Sequence, residues 1–280
     1  MVVRRCSEQR FFLLPRRRVN RILAFLLGHY AHKHGIELHG FVFMGNHFHL
    51  VLTDVRGVLP LFMGEFDAMV TRVLNHLLGR RGTLWESGSY SSWALKTQSE
   101  ILHQLAYLAT NPVEARQVRD PARWRGLLSL PRDAGTTRTV RAPADGLFGC
   151  GLEGSALPAS APLALTVPPA FDDPARFRAL FERALQHALH EIHERGGAFA
   201  GRDAVLRLDP FSAPTTARGG PSFGLIPALT NASAEDKADL KAWRAETRAA
   251  FYAWQAGKDP VFPQGAWLMP HKYKARVAPS

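Results

Sequence analysis

The sequence predicts an α+β chain: an antiparallel sheet with amphipathic helices packed against one face. Three observations carry that expectation. Residues 17–35 and 57–79 repeat apolar side chains at three- and four-residue steps, the pattern of helices that bury one side. Between them, 36–44 and 47–53 are strand-length apolar runs joined by Gly45-Asn46, which reads as a hairpin. Extended segments at 2–14 and 83–95 bracket the set.

Taken in order, residues 2–14 read as a strand interrupted by a polar bend, and Pro15 ends them. The first helix gathers Val19, Ile22, Leu23, Leu26, Leu27 and Tyr30, with Gly35 as its C-terminal stop. His29, His32 and His34 near its end suit the helix dipole better than a metal cluster. Glycine at the first central position of the hairpin turn predicts type II′. The second helix has a wide stripe from Leu59 to Leu77, and Arg80-Arg81-Gly82 closes it. Gly88 and several serines make 83–95 an irregular fourth strand. A third helix spans 98–110, with Ser99 as its N-cap. It closes at Asn111-Pro112, because the residue before proline is pushed out of the α region. Strand, helix, strand, strand, helix, strand is the order of a ferredoxin-like layer. Two helices cover one sheet face, and the third helix lies near the other.

Past residue 130 the texture changes. We read 1–130 as one domain, 131–170 as a Pro-, Gly- and Ala-rich linker, and 171–280 as an extension of unknown role. The extension reads as mainly helical or irregular, with helices over 172–195 and 235–256. His187, His190 and His193 lack the His-Glu-x-x-His spacing of a metalloprotease helix and read as a solvated face.

The formal net charge is +11, and residues 1–130 carry 17 Lys and Arg against 9 Asp and Glu. That bias suits a polyanion such as nucleic acid. It also suits a membrane surface or an arginine-rich proteome. Cys6 and Cys150 stand far apart, so neither a disulfide framework nor a zinc knuckle is expected. The start lacks a signal-like apolar core and no run of eighteen apolar residues occurs, so we expect a cytoplasmic protein without a membrane span.

The chemistry centres on His47-Phe48-His49. On a strand, side chains alternate, so the two imidazoles share a face while Phe48, Leu50 and Leu52 share the other. Taken alone, these residues fit either a polar strand face or a pair of metal ligands.

Two further motifs follow: Gly-Thr-Leu-Trp at 82–85 and Tyr-Leu-Ala-Thr-Asn-Pro-Val-Glu-Ala at 107–115. With Met-Gly-Asn-His-Phe-His at 44–49, they resemble the REP-associated tyrosine transposases, within the insertion-sequence-200-like, single-tyrosine HUH transposases. The resemblance covers roughly residues 2–128. It implies a ferredoxin-like catalytic domain, Tyr107 as nucleophile, and His47, His49 and Asn111 as ligands of a divalent ion, magnesium or manganese. It further implies cleavage of single-stranded, hairpin or palindromic DNA through a 5′-phosphotyrosine, in transposition or repeat mobilisation. The chain departs from the usual Asn-Pro-Val-(Arg/Lys)-x-Gly at Glu114 and Arg116. Gln104 is a reserve ligand and Tyr90 a reserve nucleophile. Arg4, Arg5, Arg80 and Arg81 can grip phosphates and Trp85 can stack on a base, with solvent exposure or burial as the alternative for each. A domesticated, non-catalytic DNA-binding protein of the same fold is the rival reading. Monomer and homodimer both remain open.

Overall fold

The computed structural model describes residues 1–88, 90–143, 157–214, 234–263 and 274–278. The chain divides into two compact units, Met1–Ile226 and Pro227–Ser280.

The first unit is built on a four-stranded antiparallel sheet of β1 (Val2–Arg5), β2 (Ile36–Phe43), β3 (His47–Asp54) and β4 (Ser91–Ser92), in the order β2-β3-β1-β4. With α1 (Arg17–His34) after β1 and α2 (Leu59–Leu77) after β3, this is the ferredoxin-like order of an α+β fold. Gly35 takes the left-handed conformation at the end of α1, φ 67°, as the sequence predicts.

Register divides the sheet into two unlike faces. Arg4 stands opposite Phe48, Val2 opposite Leu50, Phe41 opposite Leu50 and Phe43 opposite Phe48. These residues face α1 and α2, and all but Arg4 are buried in one apolar core. Phe48 anchors it, with ring centroids 5.0 Å from Phe43, 5.7 Å from Phe66 and 5.5 Å from Trp85. On the opposite face, Val3 and Val42 flank His49, and Arg5 stands opposite His47.

That second face is covered by α3 (Gln98–Glu114), and α4 (Pro174–Glu194) packs along α3 from outside. The stretch expected to be a linker contributes an antiparallel pair instead, β5 (Thr136–Arg141) and β6 (Ser160–Leu165), which packs on α1. Ala161, Leu163 and Leu165 alternate inward, a period-two signal shortened by the prolines around it. Residues 144–156, between those strands, lie outside the described residues.

Local expectations differ at four further points. Gly45 does not have the positive φ of a type II′ turn. Space there is tight, since a Cβ would stand 3.0 Å from Phe11 Cδ1. Helix α3 is capped by Thr97, not Ser99: Thr97 Oγ1 accepts from Glu100 N at 3.2 Å and the Glu100 carboxylate accepts from Thr97 N at 3.1 Å. The helix runs through Pro112 to Glu114. Proline removes one ladder bond, but Asn111, Pro112 and Val113 are all buried, and packing holds the turn. The fourth strand is only Ser91–Ser92, extended by an isolated bridge between Cys6 and Trp85.

The second unit holds α5 (Ala234–Gln255) and a short parallel pair, β7 (Val261–Phe262) with β8 (Arg276–Val277). Ala250 and Phe262 are buried in a small core of its own. Among the described residues no helix is long and apolar enough to cross a membrane.

His39 sits at a bulge in β2 and ties three segments together. Its Nδ1 lies 3.2 Å from Thr166 O and its Nε2 2.8 Å from Thr53 Oγ1. Burial pushes its pKa from 6.5 down to about 4, against the smaller opposing effect of the Thr166 carbonyl. Between those values the unfolded chain takes up the proton first. The stability of the neutral ring is therefore present above pH 6.5 and is lost as pH falls towards 4, by on the order of 3 kcal/mol. His49 acts in the same direction. Urea unfolding at pH 7 and pH 4.5 is expected to show His39→Gln losing less stability than the wild type across that interval.

Candidate metal and nucleophile site

The site begins at the hairpin turn. The backbone N–H of Leu13 donates to Gly45 O at 2.8 Å, and that of Cys6 donates to Asn46 O at 2.8 Å. The turn is thereby fixed where β3 begins. His47 and His49 then project from one face, their ring centroids 5.0 Å apart and their planes crossed at 77°. His47 Nδ1 lies 2.8 Å from Asn46 Oδ1. His49 is buried, with 5% of its surface exposed. Burial first, then the charges of His47 and Arg5, push its pKa down to about 3. Its ring is neutral at physiological pH, the form that offers a lone pair to a metal. Its Nδ1 is enclosed and has no hydrogen-bond partner.

Helix α3 brings Tyr107 to this pair. The Tyr107 ring centroid stands 5.8 Å from that of His49, at 81°. The residues beside it, Ala106 and Leu108, are buried, yet Tyr107 is 41% exposed. It therefore joins the covered histidine to solvent. Three residues before it is Gln104 and four after it Asn111, each only 8% exposed. Among the described residues, no three His, Cys, Asp or Glu side chains form a metal-sized cluster. Gln104 and Asn111 carry their amides on the same helix, one turn to either side of Tyr107.

The close seat of α3 depends on a residue that sequence reasoning passed over. A Cβ on Gly40 would come within 2.5 Å of Leu105 Cδ2 and 3.3 Å of Ser129 Oγ. A glycine inside a strand was the available signal. Ser129 fixes the same spot by accepting from Phe41 N at 2.8 Å.

The expected DNA contacts separate by sheet face. Arg5 is exposed and lies on the histidine face; Arg81 is exposed in the turn after α2. Arg4 points to the other side. Its Nε lies 3.0 Å from Asp67 Oδ2, it donates to Gly88 O at 3.1 Å, and its guanidinium lies 5.7 Å from the Trp85 ring. Trp85 is buried and donates to Asp67 O at 3.0 Å. Arg4 and Trp85 are parts of the interior, not of a DNA surface. Burial pushes Asp67 up to about 7 even with Arg4 beside it. Arg80 bonds to Asn75 and to Thr83 O and stacks on Phe12 at 4.2 Å, so it too is engaged within the fold. Tyr90 packs against the helix-side core, away from the histidine face, and burial raises its hydroxyl to about 12.

No family model, curated protein or solved structure matches the chain.

Gly40→Ala is expected to force Leu105 and α3 outward and to lower stability by about 1–3 kcal/mol in urea unfolding. Gly64→Ala is the control: it lies inside α2 with nothing within 4 Å. It is expected to change little or to stabilise by about 0.5–1 kcal/mol.

Proposed function

We propose that the chain is a metal-dependent DNA nuclease and strand transferase that acts on single-stranded, hairpin-bearing DNA through Tyr107. The observation that carries this reading is the Tyr107 ring 5.8 Å from His49, beside His47, on a domain with a basic excess. The donor types suit a divalent ion: a neutral His49, its neighbour His47, and the amide of Asn111 or Gln104 on the helix that carries Tyr107. Two imidazoles and an amide oxygen accept manganese readily and magnesium with more water retained. When bound, such an ion neutralises phosphate charge and orients the diester for in-line displacement.

The chain's own groups supply the rest. The Tyr107 oxygen attacks phosphorus while the bond from phosphorus to the 3′ oxygen breaks. The phenolic proton leaves to solvent, and the 3′ oxygen takes up a proton to become a free hydroxyl. The 5′-phosphate stays on the tyrosine, and the exchanged ester bond lets a second 3′-hydroxyl reverse the step without ATP. Exposed Arg5 is suited to hold a neighbouring phosphate.

The test is incubation of labelled hairpin-bearing single strands with the protein and manganese, followed by denaturing electrophoresis. The wild type is expected to form a covalent adduct, Tyr107→Phe none, and His49→Ala roughly a hundredfold less. An adduct of equal yield with Tyr107→Phe would remove the catalytic assignment. Salt-sensitive hairpin binding that survives loss of both histidines, with no cleavage, would favour the non-catalytic reading.

A further inference from the structure

We infer that α4 and the segments that flank it act as a positioning element for α3, holding Tyr107 against His49. The catalytic consequence rests on the function proposed above; the brace itself rests on three independent observations.

The first is apolar. Phe177, Phe181 and Leu185 of α4 share one buried core with Leu105, Leu108 and Val113 of α3. Leu105 and Leu108 bracket Tyr107 and lie over Gly40 of β2, and α4 packs along the same helix.

The second is polar and lies at both ends of α3. At the start, Gln98 Nε2 donates to Ala170 O. At the finish, the Glu114 carboxylate accepts two bonds from Arg195, at 3.0 and 2.7 Å. A bidentate pair fixes orientation as well as distance. This also accounts for an acidic residue at 114, where the resembled motif carries a basic one.

The third is backbone strain. Arg116 holds φ 55°, a conformation that favours glycine, at the turn just past α3. Such a residue persists only where its surroundings over-determine it. Here Arg116 O accepts from Ala200 N at 2.9 Å, Gln117 O accepts from Gly201 N at 3.0 Å, and the Arg116 guanidinium lies 5.2 Å from the Phe199 ring. All three partners belong to the segment that follows α4.

A brace is needed at this end. Pro112 removes a ladder bond in the turn that follows Tyr107 and contains Asn111. Left to itself, that turn would fray, and Tyr107 and Asn111 would lose their common register.

The test uses the full-length chain, with amide hydrogen exchange along α3, hairpin affinity, and adduct formation at saturating hairpin with manganese. Arg195→Glu is expected to speed exchange at residues 108–115 and to slow adduct formation, each roughly threefold, with hairpin affinity unchanged. The double variant Glu114→Arg with Arg195→Glu is expected to restore both. Phe181→Ala, checked for folding by circular dichroism, is expected to give roughly tenfold effects. Unchanged exchange in both single variants would overturn the brace. A rate loss matched by weaker hairpin binding would overturn it too, by making the segment a DNA contact. Should the wild type form no adduct, faster exchange in the variants would keep the brace and remove the nuclease reading alone.

Discussion

The close approach of α3 to the histidine face of the sheet is the constraint on which the site depends. It requires Gly40, because any side chain there would meet Leu105. It also requires small or apolar residues along β1 and β2, which Val3 and Val42 provide on either side of His49. Given that seat, one helix presents Gln104, Tyr107 and Asn111 on neighbouring turns, two buried amides flanking a half-exposed phenol. The sheet supplies rigidity and the helix supplies reach.

The two faces of the sheet divide the labour. Towards α1 and α2 the strands contribute an aromatic core, and even the cation there, Arg4, is satisfied internally by Asp67. Towards α3 the strands contribute polar groups among valines. A one-residue slip of β3 would exchange the two sets, placing Phe48 under α3 and both histidines in the aromatic core. The turn at Gly45-Asn46, tied to the segment of Cys6–Leu13, prevents that slip. The same bonds that end the hairpin therefore specify the chemistry of the face that follows.

Much of this was legible in the sequence because it depends on period. The helical steps of α1 and α2 and the alternation around Phe48 are local patterns, and element order then limits the topology. What was not legible depends on partners distant in the chain. Arg4 looked like a surface arginine because Asp67, which pairs with it, is 63 residues away. Its parity was a clue: it alternates with Val3 and shares its face with Val2. Pro112 looked like a helix end because local sterics favour that, and tertiary packing overrode them. The strand pair over α1 was hidden because each strand is short and set among prolines, and its partner surface is a helix earlier in the chain.

His49 is a residue that fold stability does not explain. It lies between two buried valines in register, where a third valine would satisfy the core. In its place the chain buries an imidazole with one nitrogen enclosed and unpaired, a desolvation cost of about 1–3 kcal/mol. Burial also drives its pKa far below the ordinary value, so acid weakens the fold further. Its counterpart His39 carries a similar burial, but both of its nitrogens are met by Thr53 and Thr166. The contrast separates the two. His39 is a structural tie whose polar groups are fully used within the fold. His49 keeps an enclosed, unpartnered Nδ1 in a ring that stands beside a second histidine and a tyrosine, and the fold makes no use of that nitrogen.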